Sequence, residues 1–223
     1  AGLDAILSDG IPRGNVILVE GAIGTGKKTF GVEFVYHGAS RFDEPGIIVV
    51  FEVSPDKLVR DAAGFGWDLP ALERQGLLKI IFTTRQVFRQ ELQQADSVLL
   101  EEAAKMGARR LFVDGVAGVG DGSSSDGFRG EPREEFHVLV EALQREHLTA
   151  LLALELVAEP TALAIPEASL AHTVVRLRQE QCHRPSPPSI RIIHPECTPF
   201  HLCRRYFRHR DDPRSPGSRQ SQD

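Results

Sequence analysis

Asn15-Val-Ile-Leu-Val-Glu20, running directly into Gly21-Ala-Ile-Gly-Thr-Gly-Lys27, is the stretch that decides the fold. The first part is a short β-branched and aliphatic run, the pattern of a buried strand. Lys27 to Ser40 then places Phe30, Phe34 and Val35 at helical spacing. In a strand, glycine loop and helix, consecutive backbone N–H groups wrap a phosphate. The helix N-terminus adds its positive end, and Lys27 adds a charge toward the β- and γ-phosphates. A plain glycine-rich turn is the bland alternative, and a lysine at this point of a strand-to-helix loop argues against it. Gly21, Gly24, Thr25, Gly26, Lys27, Lys28 and Thr29 are therefore the candidate nucleotide-binding residues, with ATP or ADP as the ligand.

The loop departs from its pattern at one place. A phosphate loop carries Ser or Thr directly after the lysine, where the hydroxyl holds Mg²⁺. Here that residue is Lys28, and Thr29 comes one later. Sliding the frame so that Lys28 becomes the phosphate lysine fits worse, because Lys27 and Ala22 then fall where glycines belong. An ammonium ligates no cation and repels one, so magnesium is left open.

Outward from the loop, strands and helices alternate. Gly46 to Glu52 is a near-continuous apolar run, as expected of a strand buried on both faces. Ser54-Pro55 opens a helix, with Ser54 as N-cap and Pro55 in the first helical position. Further strands are expected at Leu77–Phe82, Arg110–Asp114 and Thr149–Leu156, and helices at Phe88–Met106 and Glu131–His147. This order implies right-handed crossovers and a mainly parallel sheet flanked by helices. After Pro166 the pattern changes. Thr173–Arg178 and Ser189–His194 read as antiparallel hairpin strands around Pro185-Ser-Pro-Pro188, with a short strand at Tyr206–Arg208. Residues 1–210 read as one α/β nucleotide-binding domain. Residues 211–223, with no apolar anchor, read as a disordered tail.

Asp114 closes Leu111-Phe-Val-Asp at a strand end, where an acid holds the water shell of Mg²⁺ in a phosphate-loop fold. Glu52 ends the second strand and is the candidate base that orients an attacking water. The bland reading of Glu52 is a solvated strand end.

Composition narrows the classes. The chain has 223 residues, long enough to bury a sizeable core, and a net charge of −5. No apolar run approaches the length of a membrane span. Ala1-Gly-Leu-Asp4 shows no secretory pattern, and three cysteines are sparse and odd, so a cytoplasmic location is expected. Cys182, His183, His194, Cys197, His201 and Cys203 cluster near the C-terminus but lack the close cysteine pair of a structural zinc site, so no zinc is expected there. Arg204, Arg205, Arg208 and Arg210 form a basic run that reads as a solvated edge, and the net charge does not favour nucleic acid as a partner. Ser123-Ser-Ser125 reads as part of a flexible loop.

Taken together, Gly2-Leu-Asp4, Asp9-Gly-Ile-Pro-Arg-Gly14, the phosphate loop, Phe42-Asp-Glu-Pro-Gly46, Phe51-Glu52, Ser54-Pro55 and Phe65-Gly-Trp-Asp-Leu69 resemble the KaiC-like branch of the RecA/RadA ATPases. The resemblance is dense over residues 1–82 and thinner through Asp114, Glu155 and the C-terminal hairpin to about Arg208. It implies a RecA-like domain, with ATP bound between subunits of a homo-oligomeric ring, usually a hexamer.

Against that family four positions differ. Lys28 replaces the hydroxyl after the phosphate lysine, and Val53 replaces the second carboxylate of a Glu-Glu pair. Gly115 stands where a serine is common after the strand-end acid. His194-Pro195-Glu196 stands where the family has the Lys-x-Arg that reaches a neighbour's γ-phosphate. Phosphoryl transfer rests on positioning and charge stabilisation. The four changes therefore predict nucleotide binding with weak or lost hydrolysis, acting through nucleotide-dependent assembly or a protein partner. The alternative is an active KaiC- or RadA-like ATPase that couples hydrolysis to ring conformational change.

Overall fold

Val16–Gly21 (β1) is buried at every position. Its side chains alternate, with Val16 and Leu18 entering one core and Ile17 and Val19 the other. A strand covered on both faces needs no polar side, which is why its sequence is continuously apolar. The computed structural model of the chain describes residues 11–94, 97–116, 132–156, 170–178, 189–193 and 204–205. The basic and cysteine-histidine residues of the C-terminus other than Arg204 and Arg205 lie outside them, as do residues 1–10, 117–131 and 206–223.

The other strands are Gly46–Val50 (β2), Leu78–Phe82 (β3), Arg110–Val116 (β4), Thr149–Glu155 (β5), Thr173–Arg178 (β6), Ser189–Ile193 (β7) and Arg204–Arg205 (β8). They form one sheet in the order β3-β2-β4-β5-β1-β6-β7-β8. The six from β3 to β6 are parallel, and β7 and β8 add antiparallel to that edge. This is a RecA-like α/β architecture with the expected hairpin. Its last described strand is Arg204–Arg205, and the strand expected at 206–208 lies outside the described residues.

Lys27–Phe42 (α1), Pro55–Ala63 (α2) and Leu69–Arg74 (α3) cover one face of the sheet. Arg85–Gln93 (α4), Val98–Lys105 (α5) and Pro132–Arg145 (α6) cover the other. The single helix expected over Phe88–Met106 is thus two. Ser97 caps the second by accepting from the Leu100 N–H, and the Glu91 carboxylate accepts from the N–H groups of Val98 and Leu99. A carboxylate that satisfies the orphan donors of a new helix stabilises the break. The short α3 was not foreseen. It starts at the N-cap Asp68, within the Phe65–Leu69 motif.

Two packing details orient the nucleotide end. A Cβ on Gly31 would lie 2.1 Å from the Phe112 ring, and one on Gly38 would lie 2.4 Å from the Arg110 side chain. The two glycines, seven residues apart on one helix face, let α1 lie directly on β4 and carry its first turn over the C-terminal end of that strand. At the far edge of the sheet, Glu73 of α3 accepts the Ile80 N–H of β3 at 3.0 Å.

Candidate functional site

The loop between β1 and α1 is held by its own atoms. Thr25 donates its hydroxyl to the Ala22 carbonyl at 2.9 Å. The Lys27 ammonium folds back onto the carbonyls of Gly21 and Ala22, at 2.8 and 2.7 Å. Gly24 and Gly26 have φ of +81° and +91°, a region that a side chain disfavours, and Gly26 is the N-cap of α1. The first turn of α1 holds no acid and begins with two lysines. Cations at the positive end of a helix oppose the dipole, an arrangement that makes sense where an anion docks. Burial lowers the Lys27 pKa from its ordinary value. The carboxylates of Glu155 and Asp114 work against that shift, and Lys28 works with it.

Lys28 does not turn to solvent. Its Nζ lies 3.0 Å from Oδ2 of Asp114, the acid expected to hold the metal's water shell. Asp114 projects from β4, in register with Val50 of β2 and Ala153 of β5. The loop's one departure, an ammonium where a hydroxyl belongs, therefore acts on the strand-end carboxylate. Thr29 is half-buried on α1, one position further along the helix.

Glu52 lies two residues beyond β2, which ends at Val50 rather than at Glu52 itself. Its side chain is 73% exposed and paired with Nη2 of Arg85 at 2.6 Å. Arg85 also donates from Nε to the Gly115 carbonyl at 2.9 Å, and its guanidinium sits 5.4 Å from the centre of the Phe51 ring. Gly115 occupies a bulge in β4 and has φ +100°. A Cβ there would stand 3.2 Å from Nη2 of Arg85. Val53, in place of the family's second carboxylate, packs against the core on the α1 side.

The sequence did not single out Arg85. The available signal was an arginine in the first helical position of α4, behind the N-cap Thr84, where the dipole favours an acid. Glu155 ends β5 in register with Gly21, which puts a third carboxylate beside the loop. Beneath the loop, Glu20 is fully buried and pairs with Nε of Arg176, its register partner in β6. Its Oε2 has no hydrogen-bond partner among the described residues. His194 and Glu196 lie outside the described residues.

The donor set fits a nucleotide better than a metal. The loop offers backbone N–H groups, a helix N-terminus and Lys27 to phosphates. Asp114, the acid that the sequence puts forward for Mg²⁺, is paired to the Lys28 ammonium.

The family model for the KaiC ATPase matches residues 1–198. The circadian clock oscillator protein KaiC of Synechococcus elongatus is 39% identical, over 53% of this chain and 24% of its own length. KaiC of Parathermosynechococcus lividus is 33% identical over 69% of this chain and 29% of its own. A UPF0273 protein of Sulfurisphaera tokodaii is 36% identical over 52% of this chain and 46% of its own. The matched region thus spans about a quarter of the curated KaiC relatives and under half of the UPF0273 protein.

Proposed function

The chain belongs to the KaiC ATPase family, and from that premise we propose that it binds ATP or ADP and hydrolyses ATP weakly or not at all. Nucleotide occupancy then acts through self-assembly, as a ring, or through a protein partner. The observation that carries this reading is the ion pair of Lys28 with Asp114 at 3.0 Å.

The N–H groups of the loop and the positive end of α1 would receive the β-phosphate. Lys27, released from the carbonyls of Gly21 and Ala22, would follow the phosphates. Lys28 occupies the carboxylate of Asp114, a residue that would help to hold a divalent ion. Even unit charges of like sign at about 4 Å repel by roughly 4 kcal/mol at an effective dielectric of 20. An ammonium there disfavours Mg²⁺ and itself neutralises phosphate charge, so no step is assigned to the metal.

One observation favours the alternative of a working ATPase. Glu52 lies just beyond the C-terminal end of β2, the strand that neighbours β4 and Asp114, and is largely exposed to water. Calorimetric titration with ATP in EDTA and in excess Mg²⁺ tests the reading. We expect less than a tenfold difference for the parent chain and a larger one for Lys28→Thr. A parent that binds tenfold or more tightly with Mg²⁺, a difference of about 1.4 kcal/mol, would refute it.

A further inference from the structure

Arg85 does nothing in the reading above, yet its seat is built from three separate elements. The strand-end aromatic Phe51 lies under the guanidinium, the bulge at Gly115 supplies a carbonyl, and Glu52 supplies a carboxylate. The seat also lies close against Gly115. A serine there would place its Cβ 3.2 Å from Nη2 and would hold a φ of +100°, which side chains rarely adopt.

We propose that Arg85 is a positioning residue that restrains Glu52. By pairing with the carboxylate and anchoring on the β4 bulge, it keeps Glu52 turned from an attacking water. This is a second restraint on hydrolysis, separate from Lys28. The inference rests on the nucleotide-binding reading, because a base restrained from water matters only if ATP is bound. It differs from the Lys28 argument in its target: Lys28 acts on the metal's acid, and Arg85 acts on the candidate base.

The pair is exposed on both sides, 41% for Arg85 and 73% for Glu52. Exposed ion pairs are weak, so the restraint is modest and its release should raise turnover about two- to fivefold.

The test has two arms on the full chain. The first uses no nucleotide: thermal unfolding of the parent, Arg85→Gln, Glu52→Gln and the double variant. The pair predicts that the double variant melts no lower than the worse single one, and fully additive shifts would overturn the inference. The second arm measures ATP turnover in Mg²⁺ on a Lys28→Thr background, where the metal can enter. Adding Arg85→Gln should raise kcat two- to fivefold with KM moving less, and Glu52→Gln should abolish that gain. Arg85→Lys, which lacks the forked donor, should fall between. Gly115→Ser, which crowds the seat but keeps the arginine, should move kcat the same way as Arg85→Gln.

A fall in kcat with Arg85→Gln would show that the arginine supports Glu52 and would overturn the proposal. So would a gain that survives Glu52→Gln. If the parent binds no nucleotide by calorimetry, the nucleotide reading fails and takes this inference with it. If it binds and kcat does not rise, only the role of Arg85 fails.

Discussion

Replacing Arg176 by methionine should destabilise the chain far more than loss of a surface arginine. Its partner, Glu20, is fully buried in β1, one residue before the phosphate loop, and Arg176 itself is only 12% exposed. Removing one member of a buried pair leaves an uncompensated charge and costs about 3–5 kcal/mol. Glu20 already has an oxygen without a partner among the described residues. An unsatisfied buried acceptor carries a desolvation cost of about 1–3 kcal/mol. The parent therefore holds a carboxylate that is only half compensated, and removing the whole pair should relieve it. Glu20→Leu with Arg176→Met should recover most of the loss and approach or exceed the parent, as apolar replacements of buried pairs often do by about 1–4 kcal/mol. Urea unfolding monitored by far-ultraviolet circular dichroism, with linear extrapolation, reads all three differences. A loss below about 1 kcal/mol for Arg176→Met, or a double variant no more stable than that single one, would refute the account of this pair.

Three further outcomes are expected. Gly31→Ala should lower stability by about 1–2 kcal/mol despite the helix propensity gained, because its Cβ would meet Phe112 at 2.1 Å; a raised melting temperature would contradict the packing of α1 on β4. Since burial lowers the Lys27 pKa, ATP affinity relative to Lys27→Met should fall at a lower pH than an ordinary lysine of 10.5 would dictate. Over the interval between the lowered pKa and 10.5, the cost of burying the ammonium is relieved, so folding stability relative to Lys27→Met should rise. Titrations and melts over pH 7–10 that moved together would overturn that sign. Saturating ATP should increase the mass seen by light scattering at high protein concentration, and a strictly monomeric mass would count against nucleotide-dependent assembly.

The phosphate loop and the alternation of buried strands with helices were legible because each rests on local pattern. Continuous apolar runs mark strands covered on both faces, and the loop's glycines and lysine are contiguous. Lys28 was legible as a departure, and the structure supplied its partner, which lies 86 positions away in sequence. Other features depend on contacts that no local window contains. The break between α4 and α5 is made by Glu91 reaching across seven residues to Val98. The seat of Arg85 joins positions 33 and 30 residues apart. The approach of α1 to β4 depends on what faces Gly31 and Gly38, not on the glycines alone.

The bond from Ile80 to Glu73 bears on how copies of this chain can meet. A sheet that ends in a bare strand invites another strand to extend it without limit, which is the geometry of fibres. At β3 that invitation is withdrawn at its middle residue, because the amide a newcomer would need already serves the chain's own carboxylate. A strand added at this edge would have to begin by unseating Glu73.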